Sequence, residues 1–392
     1  MTPLALLGGA PAFPDGLAFA RPPVPEMERV VTRLAPSYQR AMLTNGPLVR
    51  ELEAQVAERL GCKHAVAVSS CTAGLMLALR AVAPHGPVVV PSFTFSATAH
   101  AIAWNGLGVR FAECDVASFQ VDLVDAAGLV DGAGALVAVH VFGAPCAPTD
   151  VEDLARDAGV PLVFDGAAAL GARHGARAVG GFGDVEVFSL SPTKPVVAGE
   201  GGLVTTQRDD VAETVRIGRD YANAGDYDTR FVGLNARMSE LHAAVALESL
   251  ADLDANHAAR SAIADRYRAQ LGQVPGVRLQ RVPEGDVPTW KDVTIAIDPA
   301  VYGVTRDVLV TALRAEGIDT RRYFDPPVHR QQSHAASASR PLPVTDRVSS
   351  EVVSLPVYPS LRDRDVDRIA TVVADVHTQR DLLLDAVPAH VP

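Results

Sequence analysis

Short apolar runs alternating with longer stretches of helical spacing constrain this chain more than any other feature. The runs at residues 64–68, 88–90, 109–114, 136–142 and 161–164 are interleaved with helical stretches at 73–82, from Phe95 onward, at 122–130 and at 148–158. Runs this short and this apolar read as strands covered on both faces, and strands separated by helices pair in parallel. Residues 1–250 therefore read as a large α/β domain on a mostly parallel sheet. Strands at 185–190 and 203–206 complete it, with helices at 26–43 and 48–60 and a Pro- and Gly-rich arm, residues 1–25, in front. Helices at 239–254 and 258–271 lead, with no flexible linker, into a smaller α/β domain over residues 251–392. Its expected strands are 277–280, 292–297 and 317–322, with a helix over 305–316 and a last helix from about 364 to 384.

Charge and cysteine usage exclude several classes of function. A formal charge of −11 over 392 residues argues against general nucleic-acid binding, which needs a basic face, although a local basic site can still hold an anion. Cys62, Cys71, Cys114 and Cys146 show neither CxxC spacing nor a disulfide framework, so they read as reduced, buried thiols with no metal site implied. Apolar residues 4–7 follow no basic segment and run straight into Gly8, Gly9 and Pro11, unlike a signal peptide, and no run is long enough to span a bilayer. The expectation is a soluble, cytoplasmic protein.

Two stretches carry the chemistry. In FSLSPTKPVVAGEGG, residues 188–202, Lys194 sits between Pro192-Thr193 and the apolar run 195–198, with Gly199, Gly201 and Gly202 behind it. An amine in a sparsely solvated pocket has a lowered pKa, and the neutral amine attacks carbonyls to form a Schiff base. An exposed lysine on a strand-loop-strand crossing fits this stretch equally well when it is taken alone. Upstream, PLVFDGAAALGA places Asp165 at a strand end, where open α/β sheets bind ligands. An anionic Asp facing small residues suits a flat ring and keeps a pyridine nitrogen protonated, although a helix N-cap also explains it. A third stretch, Ser69-Ser70-Cys71-Thr72 before an apolar helix, offers free amides and hydroxyls to a phosphate, or simple capping by Ser70.

Taken together, Asp165 with its Gly-Ala run, FSLSPTK, and GEGG behind it resemble the sugar aminotransferases of the DegT/DnrJ/EryC1/StrS family. LLGGAPAF from Leu6, TNGPLVRELE from Thr44 and SLPVYP from Ser354 extend the similarity over nearly the whole chain. The resemblance implies an aspartate-aminotransferase-like α/β fold, pyridoxal phosphate fold type I, with a large, mostly parallel seven-stranded sheet domain and a smaller C-terminal α/β domain. It also implies pyridoxal 5′-phosphate as cofactor. Lys194 is then the Schiff-base lysine and proton carrier, Asp165 the partner of the ring nitrogen, and Phe95 the stacking aromatic. Cys71, Thr72 and Ser189 hold the phosphate, with Asn235 from the neighbouring subunit of a homodimer. Arg237 and His329 are the expected substrate residues.

Two positions depart from the family pattern. Cys71 stands where Gly is usual, which would require permissive backbone angles, and Ala168 stands where Gln or His usually reaches the cofactor's phenolic oxygen. Lys194 argues against the family's dehydratases, which have His there. The expected reaction is transamination of a nucleotide-linked keto sugar, a 4-keto-6-deoxyhexose first, with glutamate as donor. A 3-keto sugar or cyclitol ketone is the alternative, and a cofactor-binding regulator without turnover is a second one.

Overall fold

The alternating runs assemble into one seven-stranded sheet in a computed structural model that describes residues 3–82 and 85–386. In chain order its strands are β1 (His64–Val68), β2 (Val88–Pro91), β3 (Val109–Ala112), β4 (Ala135–Val139) and β5 (Leu162–Asp165). A two-residue hairpin of β6 (Arg173–His174) and β7 (Arg177–Ala178) stands apart, and β8 (Val185–Ser189) and β9 (Gly202–Thr206) complete the sheet. The spatial order is β1-β9-β8-β5-β4-β2-β3. Only β9 runs against its neighbours, because the link from β8, residues 190–201, holds no helix that could carry the chain back for a parallel pairing.

Successive strand residues point to opposite faces, and both faces are buried. Ala65, Leu136, Leu162 and Phe164 fall in one apolar cluster, and Val66, Val137, Val163 and Val187 in another. The first eight helices are α1 (Met27–Gln39), α2 (Pro47–Leu60), α3 (Cys71–Val82), α4 (Ser96–Trp104), α5 (Leu123–Ala127), α6 (Pro148–Ala158), α7 (Asp209–Gly218) and α8 (Glu240–Ala251). Helices α2, α6 and α8 cover the first face, and α3, α4 and α7 the second. One buried carboxylate joins two of them: Glu240 accepts from the N–H groups of Gly46, Leu48 and Val49, each at 3.0 Å, and so satisfies the free amides that open α2.

A second core lies around α9 (Leu253–Leu271) and an antiparallel sheet of β10 (Val277–Leu279), β11 (Val293–Ile297) and β12 (Val352–Leu355), with β11 in the middle. The remaining helices there are α10 (Pro299–Tyr302), α11 (Arg306–Ala315), α12 (Pro343–Glu351), α13 (Asp363–Thr378) and α14 (Arg380–Ala386). The N-terminal arm, read with the large sheet from sequence, places Leu4, Ala12 and Leu17 in this second core.

The same arm explains two differences from expectation. Residues 317–322 form no continuous strand, because their backbone is divided between two partners: Leu17 N–H donates to Gly317 O at 2.7 Å and Asp319 N–H to Leu17 O at 3.0 Å, while Arg321 exchanges hydrogen bonds with Ser354 of β12 at 3.2 and 2.8 Å. The place beside β11 goes to β12. The C-terminal helix breaks at Gln379, whose side-chain Oε1 accepts from Leu4 N–H at 3.3 Å.

Candidate active site

Because six strands point the same way, their C-terminal ends meet along one edge, where an α/β sheet offers a crevice. Asp165 ends β5 and Ser189 ends β8; β1 leads through Ser69 and Ser70 into α3, and β2 leads through Thr94 and Phe95 into α4. The Asp165 side chain, 4% exposed, accepts from Thr98 Oγ1 at 2.7 Å and from Ala167 N–H at 3.0 Å. Burial raises its pKa above the carboxylate range, against those two hydrogen bonds and the Lys194 charge.

Lys194 is held by the link between β8 and β9. Its N–H donates to Ser191 O at 3.0 Å, Val197 N–H donates to Ser249 Oγ on α8 at 2.9 Å, and Ala198 N–H donates to Leu190 O at 2.7 Å. Val196, Val197 and Ala198 are buried, so the apolar half of the loop anchors the lysine. Burial, and next the charge of Lys291, lower the Lys194 pKa, while Cys71, Asp292 and Asp165 oppose them. The amine is thereby favoured in its neutral, nucleophilic form.

Cys71, Thr72, Phe95, Asp165, Ser189 and Lys194 all line one cavity of about 360 Å³. Cys71 is the first residue of α3 and does not need the permissive backbone expected of it: it is absent from the residues of positive φ. The backbone of this turn lies close against the neighbouring strand β9. Gly202 packs so closely that a Cβ there would lie 2.7 Å from Cys71 N and from Ser70 C. Burial pushes the Cys71 thiol well above its usual pKa, so it stays neutral. Ala168 also lines the cavity, and its carbonyl accepts from Thr289 Oγ1 at 2.7 Å.

Three expected residues lie outside that lining. Asn235 is exposed and accepts from Arg237 Nη2 at 3.3 Å, while Arg237 is paired with Asp220 and lies 5.7 Å from the Tyr221 ring. His329 is buried with its Nδ1 2.7 Å from Ser92 Oγ and its Nε2 3.1 Å from Asp346. Thr98 is not among the lining residues but holds Asp165 from behind it; it stands one turn after Phe95, a spacing visible in the sequence. The lining also takes Tyr323 and Phe324 from RRYFDPPVHRQ, a stretch that resembles the family's loop near the active site, and Lys291 and Asp292 from directly before β11, which nothing local in the sequence connects to Lys194.

The model of the DegT/DnrJ/EryC1/StrS aminotransferase family matches residues 26–374. The chain belongs to this family. Among its relatives, the spore coat polysaccharide biosynthesis protein SpsC of Bacillus subtilis is 31% identical over 366 residues, 88% of this chain and 94% of that one. The UDP-N-acetyl-3-dehydro-α-D-glucosamine 3-aminotransferase of Acidithiobacillus ferrooxidans is 32% identical over 353 residues, 89% and 94% of the two chains. Among solved structures, DesI in the presence of its TDP-sugar product superposes with a TM-score of 0.91 at 36% identity, covering 97% of each chain.

As a DegT/DnrJ/EryC1/StrS aminotransferase the chain is a pyridoxal phosphate enzyme of fold type I. The alternative of a regulator without turnover gives way to an aminotransferase. The cavity fits the family cofactor on its own terms. Asp165 is a buried carboxylate held by two neutral donors, which a protonated ring nitrogen complements. At the opening of α3 the Ser70 hydroxyl caps Ala73 N–H at 3.1 Å, as the capping alternative expected, which leaves the first two amides, of Cys71 and Thr72, beside the hydroxyls of Thr72 and Ser189 in the cavity lining.

Proposed function

We propose that this protein aminates a nucleotide-linked keto sugar, a dTDP-4-keto-6-deoxyhexose, with L-glutamate as donor, as a cytoplasmic homodimer in amino-deoxysugar biosynthesis. The observation that carries the reading is the meeting of Lys194 and Asp165 in one cavity that the opening of α3 also faces. Bound there, pyridoxal phosphate supplies an aldehyde for the amine and a ring that withdraws electron density. Lys194, whose pKa its buried surroundings lower, would carry a proton to and from the carbon that gains or loses nitrogen. Asp165 would accept from a protonated ring nitrogen, Phe95 would stack on the ring, and Cys71, Thr72 and Ser189 would hold the phosphate.

Asn235 is exposed and outside its own chain's cavity, which supports its completing the phosphate site of a second copy. Arg237 and His329 remain proposed substrate residues, each reaching the sugar only if its present contacts open. The TDP-sugar product named for DesI supports the sugar class. A 3-keto acceptor is a second reading, favoured by the 3-aminotransferase relative. The test is an acceptor screen with glutamate and purified 3-keto and 4-keto nucleotide sugars, read as 2-oxoglutarate formed and amino sugar by mass. The 4-keto reading predicts faster turnover of 4-keto acceptors, and amination confined to 3-keto sugars would replace it.

A further inference from the structure

Lys291 is buried where a buried lysine needs a reason. It is 8% exposed, lines the same cavity as Lys194, and its Nζ lies 2.8 and 3.0 Å from the two carboxylate oxygens of Asp292. A buried ion pair costs several kcal/mol of desolvation per ion, and its usual return is to tie distant elements together. Lys291 and Asp292 are chain neighbours, so their pairing ties nothing.

The segment is nonetheless built. Trp290 takes a left-handed conformation, φ 48°, directly before Lys291. The buried Arg260 donates to the carbonyls of Trp290, Lys291 and Val357 at 3.4, 3.5 and 3.0 Å. The ammonium rests 5.4 Å from the ring centroid of Tyr323 and 6.0 Å from that of Phe19. Composition adds to the case: the chain has only three lysines, Lys63, Lys194 and Lys291, and relies on arginine elsewhere, yet two of the three line this cavity.

Of the cavity-lining cations, Lys194 is reserved for chemistry and Lys291 is left. An ammonium has three donors, and the contacts to Asp292 use two of them. We propose that Lys291 receives the α-carboxylate of the amino-acid donor, with Asp292 holding the ammonium in place. In an amino acid the carboxylate is bonded to the carbon that carries the nitrogen, so its receiver must lie beside the reacting amine. In a nucleotide sugar the phosphate is separated from the keto carbon by ring atoms and needs a cation further out. Lys291 is near enough for its charge to act on Lys194. The assignment rests on the donor being an amino acid such as glutamate.

The test uses holoenzyme and 2-methyl-L-glutamate, which has no α-hydrogen to lose, titrated by calorimetry and by absorbance of the bound cofactor. Lys291→Met leaves Asp292 buried and unpaired, so the double variant Lys291→Met/Asp292→Asn is measured alongside it. Both are expected to bind the analogue about 10- to 100-fold more weakly, the loss of one charge-assisted hydrogen bond, with partial recovery in Lys291→Arg. Affinity for the nucleotide sugar should change less than about threefold. Undiminished analogue binding in the double variant overturns the assignment, as does an equal loss for donor analogue and sugar, which marks a structural role. If wild-type enzyme itself fails to respond to glutamate and to other amino acids, the donor reading falls first and the assignment with it.

Discussion

Asp165→Asn separates two effects that the carboxylate combines. Without cofactor, Asp165 is buried between neutral donors and its pKa is raised by desolvation. The folded chain then binds more protons than the unfolded one between the ordinary carboxyl pKa and the raised value. Stability falls as pH rises through that window and stays lower above it. Asparagine removes this cost and keeps the geometry. Its carbonyl accepts from Ala167 N–H, and its amide donates to Thr98 Oγ1, whose own proton turns to Phe95 O, 3.1 Å away. The cofactor-free variant is expected to match wild type or exceed it by about 1–2 kcal/mol near pH 7, about 1–2 °C in Tm for a chain of this length. Cofactor retention moves the other way. A carboxylate hydrogen bond to a protonated ring nitrogen is worth about 1.5–3 kcal/mol, so the dissociation constant should rise about 10- to 150-fold. Thermal melts of cofactor-free protein from pH 5 to 8, beside a cofactor titration by absorbance, measure both. A cofactor-free variant that loses several degrees while retaining cofactor as wild type does would refute the reasoning.

Lys194→Ala is expected to abolish transamination while the cofactor-free Tm stays within about 3 °C, since the loop is anchored by Val196–Ala198 and not by the amine; borohydride reduction followed by peptide mapping should label the wild type at Lys194 and leave the variant unlabelled. The lowered Lys194 pKa means that the folded chain binds fewer protons than the unfolded one between that value and 10.5, so stability rises with pH there. Reductive methylation across pH should accordingly show Lys194 of cofactor-free protein reaching half-maximal rate below the ordinary lysine range, and a midpoint at or above 10.5 would contradict the burial argument. Gly202→Ala drives a methyl into the Ser70–Cys71 backbone and should cost about 1–3 kcal/mol in denaturant unfolding, together with weaker cofactor retention. Asn235→Ala should weaken cofactor retention, and mixing it with Lys194→Ala chains should restore part of the activity; no restoration after demonstrated subunit exchange would count against a shared site.

The sheet and much of the cavity were legible because their determinants are local. A strand end fixes where Asp165 and Ser189 stand, and the turn into α3 fixes the amides beside Cys71. Cys71 needs no permissive backbone because it stands in ordinary helical geometry as the first residue of α3, while the backbone around it is packed against Gly202, 131 residues later. Residues 317–322 show a similar limit. Their strand-like pattern is real, but Gly317 and Asp319 pair with the arm and Arg321 with β12, and the contact with the arm joins residues some 300 apart. His329 is expected near the substrate from the family resemblance, yet its neighbours Ser92 and Asp346 come from elsewhere in the chain.

By itself the sequence determined the class of fold, the parallel sheet edge and the amine and carboxylate placed along it. These follow from periodicity and from which residues end a strand, and both are properties of a few consecutive residues. Tertiary structure alone decided that Lys291 and Asp292 line the same cavity, that the arm belongs to the second core, and that Asn235 is exposed outside the cavity lining of its own chain. Those outcomes depend on how separate elements pack, and packing is set by shape and desolvation across the whole chain.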